Sequence, residues 1–208
     1  MASSRVTIKH VAQRAGVSVA TVSRVVRNRG YVREKTRRKV LAAVRELDYH
    51  PNVIARSMVT KSTQTIGLVM TDIVNPFFAE LARGVESVAW SDGYTLILAN
   101  TDEDVQRERA IVNTLVEKQV DGLIIVPASS RQAPHLFEIF HQQMPMVLVD
   151  RGVENLPVDT IMVDNEYAAY QAVSHLIGLG HRDIGMIMDN LYITTIAERL
   201  AGYRRALT

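Results

Sequence analysis

Val19, Ala20, Ser23, Arg24 and Arg27 fall on one stripe of a helical pattern whose opposite stripe, Val22, Val25 and Val26, is apolar. A guanidinium, a hydroxyl and two small apolar side chains on one helical face can read base edges. Arg24 can fork onto guanine O6 and N7, and Val19 and Ala20 can touch a thymine methyl. Ser18, Thr21 and Arg27 suit phosphate oxygens, which position a protein on a duplex without specifying sequence. A second set, Asp72, Asn75, Phe77, Phe78, Asp102, Asp150 and Arg151, lies in loops just past short apolar runs. Carboxylate and amide groups beside aromatic faces suit a sugar or another small polar ring. The two phenylalanines fit a helix start packed onto a sheet equally well, whereas a carboxylate straight after an apolar strand, as at Asp150, makes a poor core residue.

The elements that must hold these groups can be read from periodicity. Ile8, Val11, Ala12 and Ala15 recur at helical spacing behind Thr7, a plausible N-cap, and Gly16 ends the pattern. Ser18 can cap a second helix, which Asn28-Arg29-Gly30 ends, and a third carries Val40, Leu41, Val44 and Leu47 inward up to Pro51. Two helices joined by a glycine turn, the second preceded by serine, form a helix-turn-helix pattern whose second helix would lie in the major groove. A short fourth helix is expected from Asn52 to about Lys61.

From Ile66 the period changes. Apolar strands at 66–70, 94–99, 122–126 and 146–149 alternate with helices at about 77–92, 104–118 and 133–142. A strand near 160–163, a helix at about 166–178, a strand at 184–188 and a helix at about 196–207 complete the reading. Strands apolar throughout and separated by helices imply a doubly wound parallel sheet covered on both faces. Ligands of such sheets bind beyond the carboxyl ends of the strands, which is where the second set of residues falls.

The 208 residues hold 24 Lys and Arg, 22 Asp and Glu, 6 His and no Cys, enough chain for a small domain beside a larger one. Zero cysteines exclude a disulfide scaffold and a Cys-ligated zinc site. The near-neutral total conceals an asymmetry. Residues 1–61 carry 14 Lys and Arg against 3 acids, and residues 62–208 carry 10 against 19. A basic module joined to an acidic globular one points to a polyanionic partner, although the same charges could simply decorate solvated helix faces. The polar start lacks an apolar core behind a basic segment, and no apolar run approaches a bilayer's thickness, so the expectation is a soluble cytoplasmic protein with no secretory signal.

Other chemistry finds little support. Phosphate-loop, dinucleotide and nucleophile-elbow motifs are absent from the sequence. His175 and His181 are spaced as a packed or capping pair rather than as metal ligands, and Asp102-Glu103-Asp104 reads as a helix start favoured by the helix dipole. Neither an enzyme nor a cofactor is expected.

The run from Val6 to Val26 resembles the headpiece of the lactose/galactose-repressor (LacI/GalR) family, as do Thr36-Arg37 through Leu47-Asp-Tyr-His-Pro-Asn52 and Ala55-Arg56-Ser57-Met58. The similarity continues through Asp72-Ile-Val-Asn-Pro-Phe-Phe78, Asp121-Gly-Leu-Ile-Ile125, Val149-Asp150-Arg151, Gly180-His181-Arg182 and Arg199-Leu-Ala-Gly-Tyr203. The resemblance implies a helix-turn-helix headpiece at 1–51, a hinge helix and linker at 52–65, a first α/β lobe of a periplasmic-binding-protein-like domain at 66–158, and the start of an incomplete second lobe at 159–208. It implies a homodimeric regulator, expected to be a repressor, that binds a near-palindromic DNA operator and answers to a small effector such as a sugar, with no membrane partner. Carried onto this chain, its DNA contacts are Thr7, Ser18, Val19, Ala20, Thr21, Ser23, Arg24, Arg27, Asn28, Tyr31, Asn52, Ala55 and Met58. Met58 stands where the family carries an apolar wedge, usually Leu, for the minor groove. The effector contacts are Asp72, Asn75, Phe77, Phe78, Asp150 and Arg199. The rival expectation is a small-molecule binding protein or α/β enzyme that its basic N-terminus tethers to nucleic acid.

Overall fold

A computed structural model describes residues 6–26, 30–50, 62–188 and 193–208, and the chain divides into two units, one up to Lys61 and one from Ser62 onward. The expected hinge helix, with Asn52, Ala55 and Met58, and the expected contacts Arg27 and Asn28 lie outside the described residues.

The first unit holds α1 (Ile8–Ala15), α2 (Val19–Val26) and α3 (Glu34–Glu46). Val11, Ala12, Val22, Val25, Val40 and Ala43 form its buried core. At the third helix the sequence reading needs one correction, because Leu41 is exposed and Ala43 takes the inward place. Val40, Ala43, Val44 and Leu47 keep the i, i+3, i+4, i+7 spacing, and Leu41 falls about 100° off that stripe. Gly16 closes α1 in the left-handed region (φ 66°), donating its N–H to Ala12 and Gln13, a conformation that a Cβ would strain. Arg14 ties α1 to the end of α3 through Glu46, Nη2 to Oε1 at 2.7 Å.

The second unit is a parallel sheet of order β2-β1-β3-β4-β5, built from β1 (Thr65–Met70), β2 (Thr95–Asn100), β3 (Gly122–Ile125), β4 (Met146–Val149) and β5 (Thr160–Ile161). The helices between them are α4 (Pro76–Ser91), α5 (Val105–Glu117) and α6 (Pro134–His141), followed by α7 (Asn165–Gly178) and α8 (Thr194–Leu207). Alternation along the strands splits the core between two faces. Leu68, Met70, Val126 and Val149 pack with Phe78 of α4. Val69, Leu123, Ile125 and Leu148 pack with Val112 and Leu115 of α5 and Leu136 and Ile139 of α6. The sheet is therefore doubly wound, as expected.

Two expectations about the later chain change. The strand near 160 does not open a second sheet: Thr160 and Ile161 pair with Leu148 and Val149 as a parallel edge of the first. The strand expected at 184–188 is absent, and residues 181–188 have no regular structure. A strand needs a neighbouring ladder, and Ile187 is fully exposed instead.

Candidate nucleic-acid interface and ligand cavity

Helix α2 begins at a hydroxyl cap. The Thr21 N–H donates to Ser18 Oγ at 3.2 Å, and the two hydroxyls lie 2.9 Å apart. With Val22 and Val25 pinned in the core, Val19, Ala20 and Arg24 are exposed and Thr21 and Ser23 half-buried. Thr7 sits exposed at the start of α1, where its N–H donates to His10 Nδ1 at 3.3 Å, and Tyr31 is 89% exposed. The described members of the expected set thus share the surface of one small, core-anchored unit, and Arg24 lies on its solvent side.

In the second unit the sheet order reverses between β1 and β3, and the carboxyl ends of the strands around that point line a cavity of about 680 Å³. Thr71, Asp72, Asn75, Phe77 and Phe78 line it from the β1 side, Asp102 and Glu103 from β2, Asp150 and Arg151 from β4, and Ile193, Thr195, Ile196 and Arg199 from the start of α8. All six residues expected at the effector, Asp72, Asn75, Phe77, Phe78, Asp150 and Arg199, border this one space.

Their circumstances differ. Asn75 caps α4, its Oδ1 accepting from the Phe77 N–H at 3.0 Å. Asp72 Oδ1 accepts from the Val74 N–H at 2.9 Å. Phe77 is 46% exposed while Phe78 is 4% exposed, the rings meeting edge to face at 5.1 Å, so Phe77 leaves its ring open beside the cavity while Phe78 packs into the core. Asp150 holds a left-handed backbone (φ 68°), uncommon for a residue with a Cβ and typical of sites under constraint. Burial pushes its carboxyl above the ordinary carboxylate value, against the pull of Arg151 and Arg199. Arg199 is exposed, its Nε donating to Asn165 Oδ1 at 2.9 Å.

Arg151, a candidate in the loop after β4, borders the cavity and is also committed to the protein. It is 7% exposed and forks onto Glu103, Nη1 to Oε2 at 2.6 Å and Nη2 to Oε1 at 2.9 Å. The Asp102-Glu103-Asp104 run divides its work in the same way. Asp104 caps α5 by accepting from the Gln106 and Arg107 N–H groups, Glu103 takes Arg151, and Asp102 takes the Arg107 and Asn100 side chains. His175 and His181, expected to be a packed or capping pair, are both exposed, with His175 in the last turn of α7, and no metal-binding cluster occurs among the described residues.

Sequence reasoning missed two polar centres. Glu108 and His135 are 0% and 1% exposed, His135 Nε2 lying 2.7 Å from Glu108 Oε1, while Glu108 Oε2 accepts the Ala128 N–H at 2.7 Å. The signal was present in the spacing, because Glu108, Val112 and Leu115 share the buried face of α5. At the opposite end of the sheet, Asp121 collects donors from Ser62, Thr63 and Gln64.

Residues 7–52 match the family model described as "Bacterial regulatory proteins, lacI family", and residues 63–208 match "Periplasmic binding proteins and sugar binding domain of LacI family". The HTH-type transcriptional repressor PurR of Photobacterium profundum is 41% identical over 97% of this chain and 60% of its own length. Catabolite control protein A of Priestia megaterium is 39% identical over 98% of this chain and 61% of its own. Among solved structures, the lac repressor dimer bound to operator and the anti-inducer ONPF aligns with a TM-score of 0.81 and 30% identity, over 98% of this chain and 62% of that one. A protein from Burkholderia thailandensis described as a ribose operon repressor aligns with a TM-score of 0.65 and 40% identity, over 69% of this chain and 55% of that one. The chain spans about 60% of the length of the curated relatives it matches.

Proposed function

Because this chain belongs to the lacI family of bacterial regulatory proteins, we propose that it is a cytoplasmic transcriptional repressor that binds a near-palindromic operator as a homodimer and answers to a small polar effector, a sugar by chemistry. The observation that carries the reading is the exposed face of α2. A short helix behind a glycine turn, held by three-helix packing, presents Arg24, Val19 and Ala20 outward in a unit with 14 Lys and Arg against 3 acids. Arg24 reads guanine, Val19 and Ala20 meet a thymine methyl, and Thr7, Ser18, Thr21, Ser23 and Tyr31 hold backbone phosphates or flank the bases. Arg27, Asn28, Asn52, Ala55 and Met58 join them by family position, Met58 as the minor-groove wedge.

The effector lies in the cavity at the strand ends, stacked on Phe77 and hydrogen-bonded by Asp72, Asn75, Asp150 and Arg199, with Phe78 behind as support. The relatives are named as regulators, which supports a binding role over catalysis. A dimer is supported by the exposed Val88 and Trp90 on α4, apolar surface that is costly to leave in water, beside the edge strand β2, whose unpaired backbone is a template for pairing.

The test is selection of duplexes from a random pool by the full chain, with and without candidate sugars. The expected outcome is a two-fold-related consensus released or tightened by one sugar, with binding that weakens steeply with salt, log K falling by about 0.9 for each unit rise in log salt per phosphate neutralised. Arg24→Ala is expected to cost about 1–3 kcal/mol and to relax one base position in each half-site. Unchanged base preference in that variant overturns the assignment of α2 as the reading helix.

A further inference from the structure

The Asp121 carboxylate serves neither the DNA-reading face nor the cavity. It stands at the amino end of β3, at the opposite end of the sheet from the ligand-facing loops, and it gathers the segment that enters β1. Ser62 Oγ donates to its Oδ2 at 2.5 Å, the Thr63 N–H to Oδ1 at 2.7 Å and the Gln64 N–H to Oδ2 at 2.9 Å. The Thr63 hydroxyl lies 3.0 Å from Oδ1 and 2.8 Å from the Gln119 carbonyl, and the Asp121 N–H returns a bond to the Thr65 carbonyl at 2.7 Å. Three consecutive residues are thus tied to one carboxylate. Hydrogen bonds to an ionised acceptor are the stronger kind.

The position of this knot in the chain gives it a consequence. Ser62 is the first residue of the α/β unit, and the only covalent route from that unit to the headpiece runs through Lys61. Resting on the operator-binding reading, we propose that Asp121 is a positioning residue for operator binding: by clamping Ser62–Gln64 it fixes the point from which each protomer's headpiece is tethered. In a dimer with two headpieces on one duplex, tether length sets which half-site separations both can reach, through the effective concentration of the second headpiece. Freeing three residues adds roughly 10 Å of extended chain per protomer. That exceeds the roughly 7 Å by which two inserted base pairs separate the half-sites.

The experiment uses the full chain and the operator duplex it selects, together with duplexes carrying one or two base pairs inserted or deleted between half-sites. Affinities are compared for the wild type, Asp121→Ala and the double variant Ser62→Ala/Thr63→Val. The double variant keeps the carboxylate and the backbone donors and so preserves the fold. The expected result is a narrow spacing preference in the wild type, with a loss on the order of tenfold for a two-base-pair insertion, a flattened profile in Asp121→Ala, and an intermediate one in the double variant, where the Thr63 and Gln64 N–H groups still hold Asp121. A clamp that merely stabilised the sheet would weaken every spacing alike, so variant profiles parallel to the wild type overturn the proposal while leaving the operator reading intact. Failure of the wild type to select any sequence removes the operator reading, and this inference with it.

Discussion

The two ends of one parallel sheet treat an aspartate in opposite ways. At the amino end, partial burial alone would raise Asp121, but the donors from Ser62, Thr63 and Gln64 together outweigh it and hold its carboxyl below the usual value. At the carboxyl end, burial dominates at Asp150 and lifts its carboxyl, although Arg151 and Arg199 lie close enough to pull the other way. The contrast separates a carboxylate whose donors outweigh its burial from one whose burial outweighs them, with Arg151 Nε 3.5 Å from its Oδ2. The first is a structural tie. The second borders the cavity on a left-handed backbone.

A third carboxylate sharpens the comparison and carries the largest expected effect. Glu108 is fully buried with His135 and the Ala128 N–H, so Glu108→Ala strands two polar groups in the core and is expected to cost about 3–5 kcal/mol in urea unfolding of the α/β unit. A loss below about 1 kcal/mol would mean that the pair is dispensable. Next in size, Asp150→Asn is expected to weaken the effector by about 1.5–3 kcal/mol, read by calorimetric titration, while leaving unfolding midpoints unchanged or higher at neutral pH. Asp121→Asn should do the reverse, costing about 1–2 kcal/mol of stability with effector affinity intact, and a shared phenotype for the two variants would break the contrast drawn here.

The smallest effect is in acid. A depressed carboxyl contributes stability above its unfolded value, near 3.8, that is lost as the pH falls through its folded value, so Asp121→Asn should flatten the acid limb of the stability curve. A raised carboxyl runs the other way. Ionised Asp150 costs the fold stability at neutral pH, that cost fades as the pH falls toward and below 3.8, and Asp150→Asn should remove this partial compensation. Thermal midpoints from pH 3 to 7 for the wild type and both variants read the two signs directly.

Local periodicity was enough to read most of the framework. The valines of α2, the apolar strands and the helices between them followed from spacing, because each buries one face within a few residues of chain. The cavity was legible too, since a doubly wound sheet collects the loops after its strands at one end and Asp72, Phe77 and Asp150 each follow a strand. Pairings made at long range were not legible. The Asp121 clamp joins residues 58 apart and the Glu108–His135 pair residues 27 apart, so no local pattern marks either. Arg151 is a candidate from its place in the loop after a strand, and only the fold brings Glu103 across to pair with it. The misassigned strand at 184–188 has the same cause: its apolar residues suit a ladder, and no strand stands beside them among the described residues.

Helix α8 passes α7 with almost no gap at Gly202, where a Cβ would sit 2.0 Å from the Glu166 carbonyl oxygen. Arg199 leaves the same helix one turn earlier and reaches the cavity wall. Adding even a methyl at 202 must lever the two helices apart, and the lever's short arm carries the guanidinium with it. A glycine with no side chain therefore acts as the fulcrum for a charged group one turn away, and its missing Cβ determines whether that charge still borders the cavity.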